Sequence, residues 1–286
     1  MSNAIQIITD STCDLPAELT SAYGITVLSH TLVWGEEQYR DRIDLQPEEF
    51  YRRLETDPRL PKTSQITIHD FLNAFERARS LGASEIIVIT LSSALSGAYQ
   101  SAVAAASQVN LPVHVVDSKS VTMGLGWQVL TAARALAEGN TVQSVIQAVE
   151  TLRGKLQLFV CMDTLKYVST GGRIGNAGKL IGALLDIKPL VWINHVTGVV
   201  EPLTIARTYR RAVETFYQKF FEKLDARGRA LRIAITHGNA LEEAQRLADR
   251  IRAEFSPIEL LINTTGPVLG VNTGPRALAL AGYLED

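Results

Sequence analysis

Ile86-Ile-Val-Ile-Thr-Leu91-Ser92-Ser93-Ala94-Leu95-Ser96-Gly97, running into Ala98-Tyr-Gln-Ser-Ala-Val-Ala-Ala-Ala-Ser-Gln-Val109, is the stretch that decides the fold. Six apolar or β-branched residues flanked by polar turn residues read as a buried parallel strand, too short for a helix. The alanine-rich run after Gly97 has high helix propensity and predicts a helix over 97–109. Three serines and a glycine lie between the two. At the carboxyl end of a parallel strand such a turn directs free N–H groups and hydroxyls at one point, where an anion can sit. One serine there is explained by helix capping. Three in five positions point to hydroxyls gathered around an oxyanion.

The rest of the first half repeats this unit. Ile5-Gln-Ile-Ile-Thr9 is a strand and Asp10-Ser-Thr-Cys-Asp-Leu-Pro16 its turn, with Pro16 suited to the first turn of a helix at 17–23. Ile25–Val33 reads as a strand, followed by a turn at Gly35 and a helix from Pro47 to Thr56. Thr63 and Ser64 add hydroxyls in a loop before a helix through about Leu81. Val113–Val116 is a strand closed by Asp117-Ser118, and helices follow at 124–138 and 141–153. Repeated strand, polar turn and helix predict a parallel sheet with helices on both faces, whose ligands bind beyond the carboxyl ends of the strands.

Near residue 155 the texture changes. Strands at 156–161, 231–236 and 258–262, a hairpin turning at Thr197-Gly198, and helices at 177–185, 207–225 and 240–254 predict a mixed-sheet α/β domain. Residues 165–176 read as a polar, glycine-rich loop, and 264–275 as a glycine-rich loop or short strand before a C-terminal helix. The fold class expected is therefore α/β with two domains, 1–155 and 156–286.

Composition narrows function by exclusion. With 46% apolar and 20% charged residues this is an ordinary globular chain without a transmembrane run. A net charge of −2 gives no reason to expect nucleic-acid binding, and peripheral membrane contact is not indicated by charge. The first residues leave no room for a signal peptide, and two cysteines, Cys13 and Cys161, fit a reducing cytoplasm. No phosphate loop exists, because Gly178-Lys179 is followed by Leu180 and Arg173 stands where the first glycine belongs. No metal-ligand spacing is present, so no cofactor is expected. A serine-dependent lipid ester hydrolase is the rival reading. Ser93 or Ser96 sits at a strand-to-helix turn, but the G-x-S-x-G frame is absent, and of the five histidines His237 is the one at a strand end that could face a cleft.

Six phrases then match one family in order and spacing. Thr9–Pro16, Lys62-Thr-Ser-Gln65, Leu91–Ala102, Val116-Asp-Ser118, Thr170-Gly-Gly-Arg-Ile174 and Gly266–Pro275 together resemble the DegV family of bacterial fatty-acid-binding proteins, some of them acyl-carrying subunits of fatty acid kinase. The resemblance implies a non-enzymatic carrier that buries an acyl chain between two α/β domains and presents its carboxylate to a partner kinase. By position it implies Thr63 and Ser93 as carboxylate-binding hydroxyls, with Ser96 nearby and Arg173 in a kinase-docking loop. Asn272 stands where the family usually has histidine; its amide can still donate a hydrogen bond but cannot become cationic.

Overall fold

The computed structural model describes residues 4–173, 175–182 and 187–285. Its first half runs β1 (Ile5–Asp10), a 3₁₀ turn (Ser11–Cys13), α1 (Ala17–Ala22), β2 (Thr26–Leu28), β3 (Thr31–Trp34), β4 (Glu37–Arg40), α2 (Pro47–Thr56), β5 (Lys62–Ser64), α3 (Ile68–Ser80), β6 (Glu85–Thr90), α4 (Ala98–Ala106), β7 (Val113–Asp117), α5 (Met123–Ala137) and α6 (Val142–Lys155). The second half continues with β8 (Gln157–Cys161), α7 (Lys166–Gly171), a 3₁₀ segment (Gly175–Gly182), β9 (Lys188–Ile193), β10 (Val200–Ala206), α8 (Tyr209–Leu224), β11 (Leu231–His237), α9 (Leu241–Phe255), β12 (Glu259–Thr264), α10 (Pro267–Thr273) and β13 (Leu278–Leu284).

The first sheet is parallel, in the order β2-β1-β6-β7. Its strands read as continuous apolar runs because both faces are covered, and the strand period of two divides each run between them. Ile7, Ile87 and Ile89 pack with α5 and α6, while Ile8, Ile86 and Val88 pack with Phe71, Phe75, Ala102 and Ala105 of α3 and α4. The second sheet is mixed, in the order β10-β9-β8-β13-β11-β12, with β11 and β12 parallel and the other pairs antiparallel. Leu158 and Val160 of β8 join the core shared with α5, and Phe159 and Cys161 join the core under α8 and α9. One apolar core thus runs from β1 and β6 through α5 and α6 to β8, β9 and β13. Fully burying each large apolar side chain in it contributes about 1.5–3 kcal/mol.

Five expectations are corrected. Ile25–Val33 is not one strand: it breaks at Ser29-His30, where the chain leaves the parallel sheet and enters a small antiparallel sheet of β4-β3-β5. The loop expected at Thr63-Ser64 is β5 of that small sheet. The glycine-rich segment at 165–176 contains α7, and the helix expected at 177–185 is a 3₁₀ segment to Gly182, with residues 183–186 outside the described residues. The C-terminal helix is instead β13, between β8 and β11. Leu278, Leu280 and Leu284 face α8 and α9, while Ala279, Ala281 and Tyr283 face α5. Alanine and leucine favour helix in isolation, but here burial on both sides of a central strand overrides that preference. Trp127 on α5 reinforces it by donating its indole N–H to the Ala281 carbonyl at 2.9 Å.

Candidate functional site

The β6–α4 turn gives its three serines three different tasks. Ser92 is buried and donates to the Gly198 carbonyl at 2.8 Å, tying the β9–β10 hairpin to the parallel sheet. Gly198 has φ +75°, and a Cβ there would overlap the Ser92 hydroxyl, so this close approach demands glycine. Ser93 points elsewhere. Its amide donates to Asp117 Oδ1 at 3.1 Å, and its hydroxyl accepts from Lys119 Nζ at 3.2 Å. Ser96 lines a cavity.

That cavity holds about 950 Å³ of unfilled space with its open mouth included. One wall is apolar and comes from the second half of the chain, through Val160, Met162, Val168, Val191, Ile193 and Val200. The first half and α10 add further apolar residues, Leu91, Leu95, Val121, Val268 and Leu269, together with the polar side chains of Thr12, His30, Thr63, Ser64, Ser96 and Asn272. Ser64, Gln65 and Arg173 also line it and are exposed, so polar residues border its mouth.

Thr63, Ser96 and Asn272, expected around the carboxylate, line one cavity together with Arg173, expected in a docking loop. Ser93 is not: it is absent from the lining, and its hydroxyl faces Lys119 because Asp117, at the end of the neighbouring strand, draws the lysine to 2.7 Å. Asn272 also differs in detail. Its Nδ2 donates back to the Val268 carbonyl at 3.3 Å inside α10, and its Oδ1 is buried without a partner.

A network of buried charge stands behind the polar corner. Asp10, at the end of β1, accepts from the Thr12 amide and hydroxyl and from the Leu91 amide at 3.0, 2.5 and 2.7 Å. His30 Nε2 lies 3.5 Å from Asp10 Oδ1. Burial alone would push the Asp10 carboxyl up, but His30, Thr12 and Leu91 together hold it below its usual range. Burial likewise opposes the charged form of His30, and Asp10, Asp41 and the Ser64 backbone outweigh it, holding the imidazole above its ordinary value. Asp41 accepts from Ser11 at 2.6 Å and from the Val268 amide at 3.3 Å, and burial pushes it up to about 6. Asp14 accepts from Arg42 at 2.6 Å, from Thr122 at 2.6 Å and from the Gly266 amide at 2.9 Å. Two buried carboxylates of the first half thus fix the start of α10, the helix that carries Asn272 into the cavity wall.

Thr12 and Ser64 were read only as hydroxyls in polar turns, and His30 was not singled out as a site residue by the sequence. Ser29-His30 lies inside an apparently continuous strand, and only the break between two sheets turns that histidine toward the cavity. The hydrolase geometry is not assembled among the described residues. Ser96 Oγ accepts from the Ala98 amide at 3.3 Å and Ser93 Oγ from Lys119, while His237 Nδ1 accepts from the Ala240 amide at 3.3 Å. Burial pushes both cysteine thiols up to about 12, so neither is a thiolate nucleophile at neutral pH. None of the helices is long and apolar enough to cross a membrane among the described residues.

Comparison with known proteins finds relatives along almost the whole chain. A DegV domain-containing protein of Clostridium acetobutylicum is 34% identical over 287 residues, covering 99% of this chain and 98% of the relative. A fatty-acid-binding DegV family protein from Thermus thermophilus superposes with a TM-score of 0.90 at 29% identity, covering 99% of this chain and all of that one. DegV of Bacillus subtilis, a fatty acid binding protein, gives the same TM-score, identity and coverage. The family model described as "Uncharacterised protein, DegV family" matches residues 4–285. Matched from end to end by that model and by relatives a third identical throughout, this chain belongs to the DegV family.

Proposed function

We propose that this protein binds a long-chain fatty acid, with its tail along the apolar wall and its carboxylate at the polar corner. The observation that carries the reading is the division of one cavity between aliphatic residues and hydroxyls. The fatty-acid-binding relatives from Thermus thermophilus and Bacillus subtilis support it. About fifteen methylenes removed from water at about 0.8 kcal/mol each give roughly 12 kcal/mol of gross driving force before association costs. The tail supplies affinity. The head loses several kcal/mol of hydration unless hydrogen-bonded, which is the role we assign to Thr63 and Ser96, with Asn272 as an adjoining polar wall rather than the donor.

In this reading the protein is a carrier rather than an enzyme, built from lobes 1–155 and 156–286 that hold the ligand between them. Hydroxyl donors leave carboxylate oxygen accessible, whereas a bidentate arginine would occupy both oxygens. Exposed Ser64, Gln65 and Arg173 at the mouth suit presentation to a second protein. We assign that partner as a fatty acid kinase catalytic subunit, docking on the Arg173 loop and forming the acyl phosphate. Mass spectrometry of protein denatured after native purification should release a C14–C18 acid. A folded protein that is empty and takes up no added acid refutes the carrier reading. Failure to form acyl phosphate with kinase and ATP, with acid bound, refutes the kinase role alone.

A further inference from the structure

We propose that His30 is the cationic donor of this cavity and makes it select an ionised carboxylate over a neutral lipid head of the same length, an inference that rests on the fatty-acid reading above. The β3–β5 register sets Thr31 opposite Ser64 and Leu32 opposite Thr63, so His30 stands at the end of the ladder that carries the head-group hydroxyl. It lines the cavity and is 3% exposed. A neutral imidazole has one N–H, yet this ring has acceptors on two sides, the Asp10 carboxylate and the Ser64 backbone. Both favour the doubly protonated ring.

Asp10 does not fully satisfy that ring. Its two oxygens already take three hydrogen bonds from Thr12 and Leu91, and His30 Nε2 is left buried without a hydrogen-bond partner. A buried, charged donor in that state favours an incoming acceptor. Asn272 does not supply this donor, because its N–H turns back to Val268. Arg173 is the other lining residue that can carry positive charge among the described residues, and it is exposed, where solvent screens it. The charged groups around His30 are Asp10 on β1, Asp41 after β4 with its neighbour Arg42, Asp14 bound to Arg42, and Arg173 at the mouth. Arg42 pairs with Asp14, so the Asp14 carboxylate is already matched by a cation of its own.

The test compares hexadecanoic acid with hexadecanol in wild type and His30→Gln, which keeps a donor and removes the charge. The ratio of alcohol Kd to acid Kd should fall about tenfold or more in the variant, the scale of one charge-assisted hydrogen bond. An unchanged ratio, including a parallel loss of both lipids, overturns the proposal, as does a wild-type protein that binds the two equally. Wild-type protein that binds neither lipid sinks the fatty-acid reading, and this inference with it. Carboxyl-labelled hexadecanoic acid bound to wild type provides a measurement independent of whether the variant folds. Its carbon resonance should remain at the ionised position at about pH 6, whereas burial without a cation would raise the acid's pKa and move the resonance to the protonated position.

Discussion

Replacing the serines and the threonine one at a time separates residues that touch the ligand from residues that merely share its motif. Thr63 and Ser96 line the cavity, and Ser93 holds Lys119 at 3.2 Å. A hydrogen bond to a charged group contributes about 1.5–3 kcal/mol, so Thr63→Ala or Ser96→Ala should each weaken fatty-acid binding about tenfold or more. Together they should cost less than the product of the two, because both act on one carboxylate and neighbouring sites do not add. Ser93→Ala should change affinity less than about twofold, since a half-exposed hydroxyl contributes little and the Lys119–Asp117 pair at 2.7 Å survives its loss. Displacement of a fluorescent fatty acid, followed for all four variants at fixed ionic strength, measures the set. If Ser93→Ala costs as much as Ser96→Ala, the carboxylate is seated on the Lys119 side of the turn and this assignment is wrong.

Further outcomes follow from the same contacts. Val200→Phe narrows the apolar wall, so the preferred acid should shorten by several methylenes at about 0.8 kcal/mol each, read from Kd across a chain-length series; an unmoved preference would place the tail elsewhere. Arg42→Ala removes the cation at 2.6 Å from buried Asp14 and should lower stability by about 3 kcal/mol in urea unfolding, since one partner of a buried pair is left uncompensated; a loss below about 1 kcal/mol would show that Thr122 and Gly266 suffice. Asp41 has a folded-state pKa raised to about 6 from 3.8, so its favourable contribution is complete below about pH 4 and is lost as pH rises through 6. The stability of Asp41→Asn relative to wild type should therefore rise by about 2–3 kcal/mol between about pH 4 and pH 7, and a pH-independent difference would contradict the burial that raises it.

The local patterns of this chain were legible. The apolar run at 86–90, the alanine-rich helix and the proline-started helix at Pro47 each carry their own propensity and period, and each forms where expected. β13 was legible in principle, since Leu and Ala alternate by size at period two in Leu278-Ala-Leu-Ala-Gly-Tyr-Leu284. Helix propensity hid it, and only the partners β8 and β11 decide between the two readings. The break at Ser29-His30 carried no signal at all, because a strand that changes sheets keeps the same alternation on both sides of the bend.

The site shows the same division more sharply. That three hydroxyls gather at the β6–α4 turn is a local fact, but what each one meets lies far along the chain: Gly198 for Ser92, Asp117 and Lys119 for Ser93, and a cavity walled by the second half for Ser96. A motif therefore fixes where polar groups concentrate, and tertiary contact decides which of them is left to bind. Since a buried hydroxyl that already has a partner offers little to a ligand, Ser96, which lines the cavity rather than meeting a protein partner across the fold, is the serine we assign to the head group.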